Sequence, residues 1–185
     1  MVYINQKYFQ LRMTIFWAMQ EVTSSFSDLD MLKDIFLELN NCCEFRLRVI
    51  GNFQFELPGV DLEVIQWTKE KEVEDLQGID IGVYPLVQEE WVLGKSGLKA
   101  IQYMAFGLPT VATNYGMTTR LIKHMENGLL VRTDKEWVDA LEMLVKDESL
   151  RRRLGEAGRA TVQENYSIHI IKSKYLSILN ALVPV

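Results

Sequence analysis

At 185 residues, 48% of them hydrophobic and 24% charged, the chain is long enough for one well-filled core and too short for two. A net charge of −5 excludes the broad basic field that advertises nucleic-acid binding, and no apolar run approaches the length of a membrane span. Cys42 and Cys43 are neighbours, which seldom form a useful bridge with each other, and the N-terminus carries no signal-peptide pattern, so a soluble cytoplasmic domain is expected.

In chain order, residues 1–12 show no clean period and read as a linker or N-terminal remnant. Met13 to Met19, apolar and partly β-branched, is the first core strand. Gln20 to Ser27 is a polar loop carrying Thr23, Ser24 and Ser25. Ser27, with Asp30 three residues later, has capping-box spacing and opens a helix over Asp28 to Leu39 that buries Leu32, Ile35, Phe36 and Leu39. Phe45 to Ile50 is a second strand closed by Gly51, followed by an excursion with a Pro58-Gly59 turn and a short third strand, Leu62 to Ile65. A small charged helix, Lys69 to Leu76, is broken by Gly78 before the fourth strand, Ile79 to Leu86.

Next comes a polar loop with Gly94 and Gly97, then a helix from about Gly97 to Phe106 that Gly107 stops. Leu108-Pro109 turns the chain into a fifth strand, Thr110 to Ala112. Thr118 to His124 reads as a helix and Leu129 to Val131 as a sixth strand. Thr133 and Glu136 form a second capping box that opens Asp134 to Val145, and two further helices, Glu148 to Glu164 and Ile168 to Leu182, complete the tail. Strands that are continuous apolar runs, alternating with helices, predict an α/β fold: a doubly wound, Rossmann-like parallel sheet of about six strands with helices on both faces. In the usual order 3-2-1-4-5-6, ligands bind where the loops after strands one and four part, here Gln20 to Ser27 and Gly94 to Gly97.

The second of those loops carries its own chemistry. At 100° per residue, Lys95, Lys99 and Gln102 fall within roughly a 60° arc, while Leu98, Ile101 and Ala105 lie on another side and can face a sheet. Two lysines at the positive end of a helix dipole cost stability unless an anion sits beside them. Glycines at the entry let backbone N–H groups point outward, so Gly94, Lys95, Ser96, Gly97, Leu98 and Lys99 describe a phosphate or diphosphate seat. Taken alone, the same residues could equally form a solvated helix start. Their coincidence with the switch point favours a nucleotide-diphosphate site, which Gln20, Thr23 and Ser24 would complete from the other loop.

Other residues carry less. Glu89 and Glu90 are adjacent and point apart, as in a solvated loop. Trp91 either covers a ligand face or plugs its loop, and Trp67 suits an anchor for the Lys69 helix better than a base stack. His124, at a helix end, His169 and the two cysteines make no metal-ligand spacing, so no metal is expected. Arg151, Arg152 and Arg153 read as the wet face of an amphipathic helix.

The run from Gly94 through Gly107-Leu108-Pro109-Thr110-Val111-Ala112 resembles the donor-binding segment of GT-B glycosyltransferases of the family 4 group. The similarity continues through Glu126-Asn127-Gly128-Leu129-Leu130-Val131, Trp137 to Leu141, Leu150 to Gly155 and Asn165-Tyr166-Ser167, covering about Arg46 to Leu182. The resemblance implies a C-terminal donor-binding half, residues 13–167, with 168–185 as a helix crossing to the other half. It also implies transfer of a sugar from a nucleotide diphosphate, uridine first, to an acceptor hydroxyl with retention and without a divalent metal or other cofactor. The family usually carries two glutamates spaced like Gly94 and Gln102; this chain departs at both, and Gln102 is the candidate for a ribose hydroxyl.

An N-terminal acceptor domain does not fit before Met13 and is expected to be absent, so the chain alone should bind donor without turnover. The full-length protein is expected in the cytoplasm or at the inner membrane face. An apolar stripe of Ile170, Ile171, Tyr175, Ile178, Leu179 and Leu182 offers a homodimer contact instead of a crossover. A non-catalytic nucleotide-binding or scaffold module of the same fold is the alternative that Gly94 supports. A nicotinamide or flavin enzyme is disfavoured because no glycine fingerprint follows the first strand.

Overall fold

The computed structural model describes residues 11–16 (as backbone), 29–52 and 54–182. Six strands form one sheet: β1 (Leu11–Phe16), β2 (Phe45–Ile50), β3 (Asp61–Ile65), β4 (Ile81–Tyr84), β5 (Thr110–Thr113) and β6 (Leu129–Val131). All neighbours are parallel, and the order is β3-β2-β1-β4-β5-β6, the doubly wound order expected. Around it lie helices α1 (Lys33–Asn40), α2 (Glu72–Gln77), α3 (Leu98–Ala105), α4 (Thr118–Leu121), α5 (Asp134–Lys146), α6 (Glu148–Asn165) and α7 (Ile168–Leu182).

Both faces of the sheet are covered, because adjacent strand residues point opposite ways. On one face Leu47, Val49, Val83, Val111 and Val131 meet Phe36 and Leu39 of α1 and Trp137 and Leu141 of α5. On the other, Ile50 packs with Leu76 of α2 and Tyr103 of α3, and Ala112 with Met104, Leu121 and Val162. The Thr133 cap forms as expected, its hydroxyl accepting the Glu136 N–H at 3.2 Å while the Glu136 carboxylate takes the Arg132 N–H at 2.6 Å.

Several expectations need correction. β1 begins at Leu11, so Leu11 and Arg12 pair with Phe45 and Arg46 rather than belonging to a linker; a six-residue β2 offers partners along the whole ladder. Residues 1–10 and 17–19, the Ser27 cap and the proposed Gln20, Thr23 and Ser24 lie outside the described residues. β4 stops at Tyr84, since Pro85 has no N–H to donate. α4 ends at Leu121, not His124, whose Nδ1 instead accepts the Leu130 N–H at 3.1 Å inside the following turn. Arg151 is not simply wet: its guanidinium donates to the carbonyls of Leu144 and Val145, the orphan acceptors at the end of α5.

The helix most relevant to function sits differently from expectation too. Of the three residues expected to face the sheet, Leu98 (55% exposed) and Ala105 are exposed, while Ile101 packs partly against the cluster holding Ala112; the buried residues of α3 are Ala100, Tyr103 and Met104. The reason is steric. Gly82 of β4 leaves room for the Tyr103 ring, where a Cβ would stand 2.7 Å from the ring carbon Cγ. Gly155 of α6 lies against the other end of α3, its missing Cβ position 2.0 Å from the Gly107 carbonyl oxygen. Two glycines thus clamp α3 from below and behind.

Candidate functional site

From Tyr84 the chain passes over the carboxyl edge of the sheet into a 3₁₀ turn (Glu90–Gly94), then an extended Lys95-Ser96, and enters α3 through Gly97. Gly97 has φ +70, a left-handed conformation that glycine adopts without strain. The loop is held by the segment after β5. The Leu86 N–H donates to Thr113 Oγ1 at 2.8 Å, and the Thr118 hydroxyl donates to the Thr113 carbonyl at 2.5 Å. The Tyr115 hydroxyl reaches the Glu89 carbonyl at 3.3 Å, and Val92 is fully buried. Thr113→Val, nearly isosteric, should leave the buried Leu86 N–H without its acceptor and lower stability by about 1–3 kcal/mol, measurable by urea denaturation.

Val92 therefore plugs this loop, and Trp91 does not. Trp91 is 46% exposed, donates its indole N–H to the Glu89 carboxylate, and carries the Lys95 ammonium 4.6 Å above its ring. The proposed Lys95 is thus half-buried on an aromatic face. Ser96 is exposed beside it, and a Cβ at Gly94 would meet nothing within 4 Å. The N-cap, Gly97, has no side chain to cap α3, so its first-turn amides, which the helix cannot satisfy internally, are left without a cap from that residue.

Lys99 and Gln102 form a network with a residue that sequence reasoning missed. The Lys99 ammonium donates to Gln102 Oε1 at 2.9 Å; Gln102 Nε2 donates to Glu72 Oε1 at 2.9 Å, and that oxygen lies 3.9 Å from Lys99 Nζ. Glu72 opens α2, and no local spacing could have paired it with a glutamine 30 positions away. The Lys99 side chain is 16% exposed, and burial pushes its ammonium down from the usual 10.5 to about 8, Glu72 pulling the other way. Lys99 is therefore not a fully solvated residue of the helix start.

Trp67 is half-buried against the cluster holding Leu76 and Tyr103, an anchor for α2 as expected; its Nε1 is buried with no acceptor among the described residues. Two sizeable clefts lie elsewhere, one of about 440 Å³ between β6 and α5 and one of about 550 Å³ between α6 and the Asn127 turn. Neither is lined by the loop before α3. Cys42, Cys43 and Glu142 bring their ligand atoms within 4.8 Å of one another, a grouping the sequence did not suggest; Glu142 is paired there with Lys146.

The geometry can be set beside known proteins. The family described as "Glycosyl transferases group 1" matches residues 49–161. The D-inositol 3-phosphate glycosyltransferase of Pseudarthrobacter chlorophenolicus is 31% identical over 147 residues, covering 75% of this chain and 32% of that protein. The solved C-terminal domain of a glycosyl transferase group 1 family protein (LpcC) from Francisella tularensis superposes with a TM-score of 0.65 over 85% of this chain and 87% of that one, at 22% identity. Alr3699/HepE of Anabaena, solved in complex with UDP, gives a TM-score of 0.76 over 93% of this chain and 49% of that one, at 14% identity; both likenesses are of fold. The chain spans about a third or less of the length of the curated relatives it matches. With more than half its length inside the family match, and with the fold and loop described above, the chain belongs to the glycosyl transferases group 1 family.

Proposed function

We propose that this chain is the C-terminal, donor-binding half of a GT-B glycosyltransferase of the family 4 group, with residues 13–167 as the nucleotide-sugar-binding domain. The observation that carries the reading is the start of α3 at the carboxyl edge of the sheet, with Lys95 in the loop that leads into it and Lys99 in its first turn. A donor diphosphate would settle against amides of the Gly94–Gly97 turn and the first turn of α3, close to Ser96 and Leu98. As the glycosidic bond to the diphosphate breaks, negative charge grows on its oxygens, and fixed amides and ammonium groups stabilise that charge. Donor positioning by the chain's own cations suits a metal-independent transfer, and the resemblance supports retention. A UDP-type donor is favoured because Alr3699/HepE and TarM are related folds solved with UDP.

The acceptor site would be formed with the other half of such an enzyme, and residues 13–167 by themselves would bind donor without turnover. The exposed apolar residues of α7, among them Tyr175, Ile178 and Leu182, are available to that half or to a second copy of the chain. Among the described residues no helix is long and apolar enough to cross a membrane. Work in the cytoplasm or at its membrane face is part of the same proposal.

Calorimetry tests the site. UDP is expected to bind the chain, and Lys95→Ala and Lys99→Ala are each expected to weaken it by about 1–3 kcal/mol, the range for a charge-assisted contact. Unchanged affinity in both variants would falsify the assignment of the diphosphate seat. Gly94, where the family usually has glutamate, favours the second reading of a binding module without catalysis. Donor hydrolysis or transfer by the full-length protein separates the two.

A further inference from the structure

We propose that Glu72 is a positioning residue for this donor site: its carboxylate takes the Gln102 amide, faces Lys99, and keeps that ammonium charged and in place for the diphosphate. The inference rests on the donor-site reading above and adds to it a residue from another element. Both ends of the Gln102 amide are engaged, one by Lys99 and one by Glu72, each at 2.9 Å. Gln102 thereby links the two charged groups, and because an amide has a second N–H and a second lone pair, this link does not displace the ribose contact expected from sequence. Being neutral, it cannot compensate a buried charge; it can only fix where two charged groups stand.

The compensation comes from α2. Glu72 sets a carboxylate oxygen 3.9 Å from the Lys99 ammonium, with a side chain 22% exposed. Lys99's own helix contributes the uncharged Gln102. An ammonium so little exposed is penalised by lost hydration, and the nearby carboxylate opposes that penalty. Without the carboxylate, the amine would release its proton at lower pH and leave the diphosphate facing a neutral group. Glu72 touches no reacting atom in this account; it acts through Lys99.

Two measurements on the whole chain test this. Reductive ¹³C-methylation followed by NMR gives the Lys99 titration directly, the resonance being assigned by its loss in Lys99→Arg. Glu72→Gln is expected to lower the Lys99 midpoint by about one pH unit or more with no ligand present. Calorimetry with UDP should show affinity falling about tenfold per pH unit above the Lys99 midpoint, with the fall beginning correspondingly lower in Glu72→Gln. Arginine stays charged throughout, so Lys99→Arg in the Glu72→Gln background should flatten that profile and restore affinity. A Lys99 midpoint unmoved by Glu72→Gln overturns the inference even if UDP binds. A chain that ignores UDP at every pH overturns the donor-site reading itself, whatever Lys99 does.

Discussion

Gly155→Ala is expected to destabilise the chain by about 3 kcal/mol or more, through overpacking that the neighbours cannot relieve. The added Cβ would stand 2.0 Å from the Gly107 oxygen and 2.9 Å from its carbonyl carbon, with the Pro109 nitrogen at 3.5 Å. All three are backbone atoms, so no rotamer change makes room; α6 must move away from the end of α3. Urea denaturation should show the loss, and UDP affinity should fall with it, because α6 packs against the helix that carries Lys99. Gly94→Ala is the control. Its Cβ meets nothing within 4 Å, and its stability should stay within about 0.5 kcal/mol of the parent. Equal effects from the two glycines would contradict the close approach of α6 to α3.

Raising the pH from 8 to 10.5 is expected to stabilise the ligand-free chain by up to about 3 kcal/mol through Lys99 alone. Lys99 titrates near 8 in the folded chain and near 10.5 when unfolded. Between those values the unfolded chain binds more protons than the folded one, so stability rises with pH; below 8 the cost of the buried ammonium is present in full. Urea midpoints across this range, subtracted from those of Lys99→Met, isolate the contribution from other titrating groups. Identical slopes in the two proteins would show that Lys99 is not a buried ammonium. UDP should reverse the trend, since a bound diphosphate favours the charged lysine that high pH removes.

The architecture was legible because its signals are local or repetitive. Parallel strands buried on both faces read as apolar runs, β2 and β6 were bounded to the residue, and Thr133 with Glu136 announced α5 through capping chemistry. The switch point followed from strand order, and it led to the loop before α3 independently of the lysines. What escaped was set by tertiary contact. The face of α3 that packs down was misassigned because Tyr103 lies on a strand glycine that no periodicity advertises. His124 was read as a helix end because its backbone-turn role depends on Leu130, six residues on. Glu72 joins Lys99 and Gln102 only after β4 and two loops bring α2 beside α3. The chemistry on α3 was readable from its own sequence; the counter-charge that governs it was not.

The open space at Gly94 has a consequence for how such a domain can change over time. A single base change turns a glycine codon ending in a purine into a glutamate codon, and a Cβ added at position 94 meets nothing within 4 Å. Position 94 is therefore a place where this scaffold can gain or lose an acidic group in one step, leaving strand order, clamp glycines and lysines untouched.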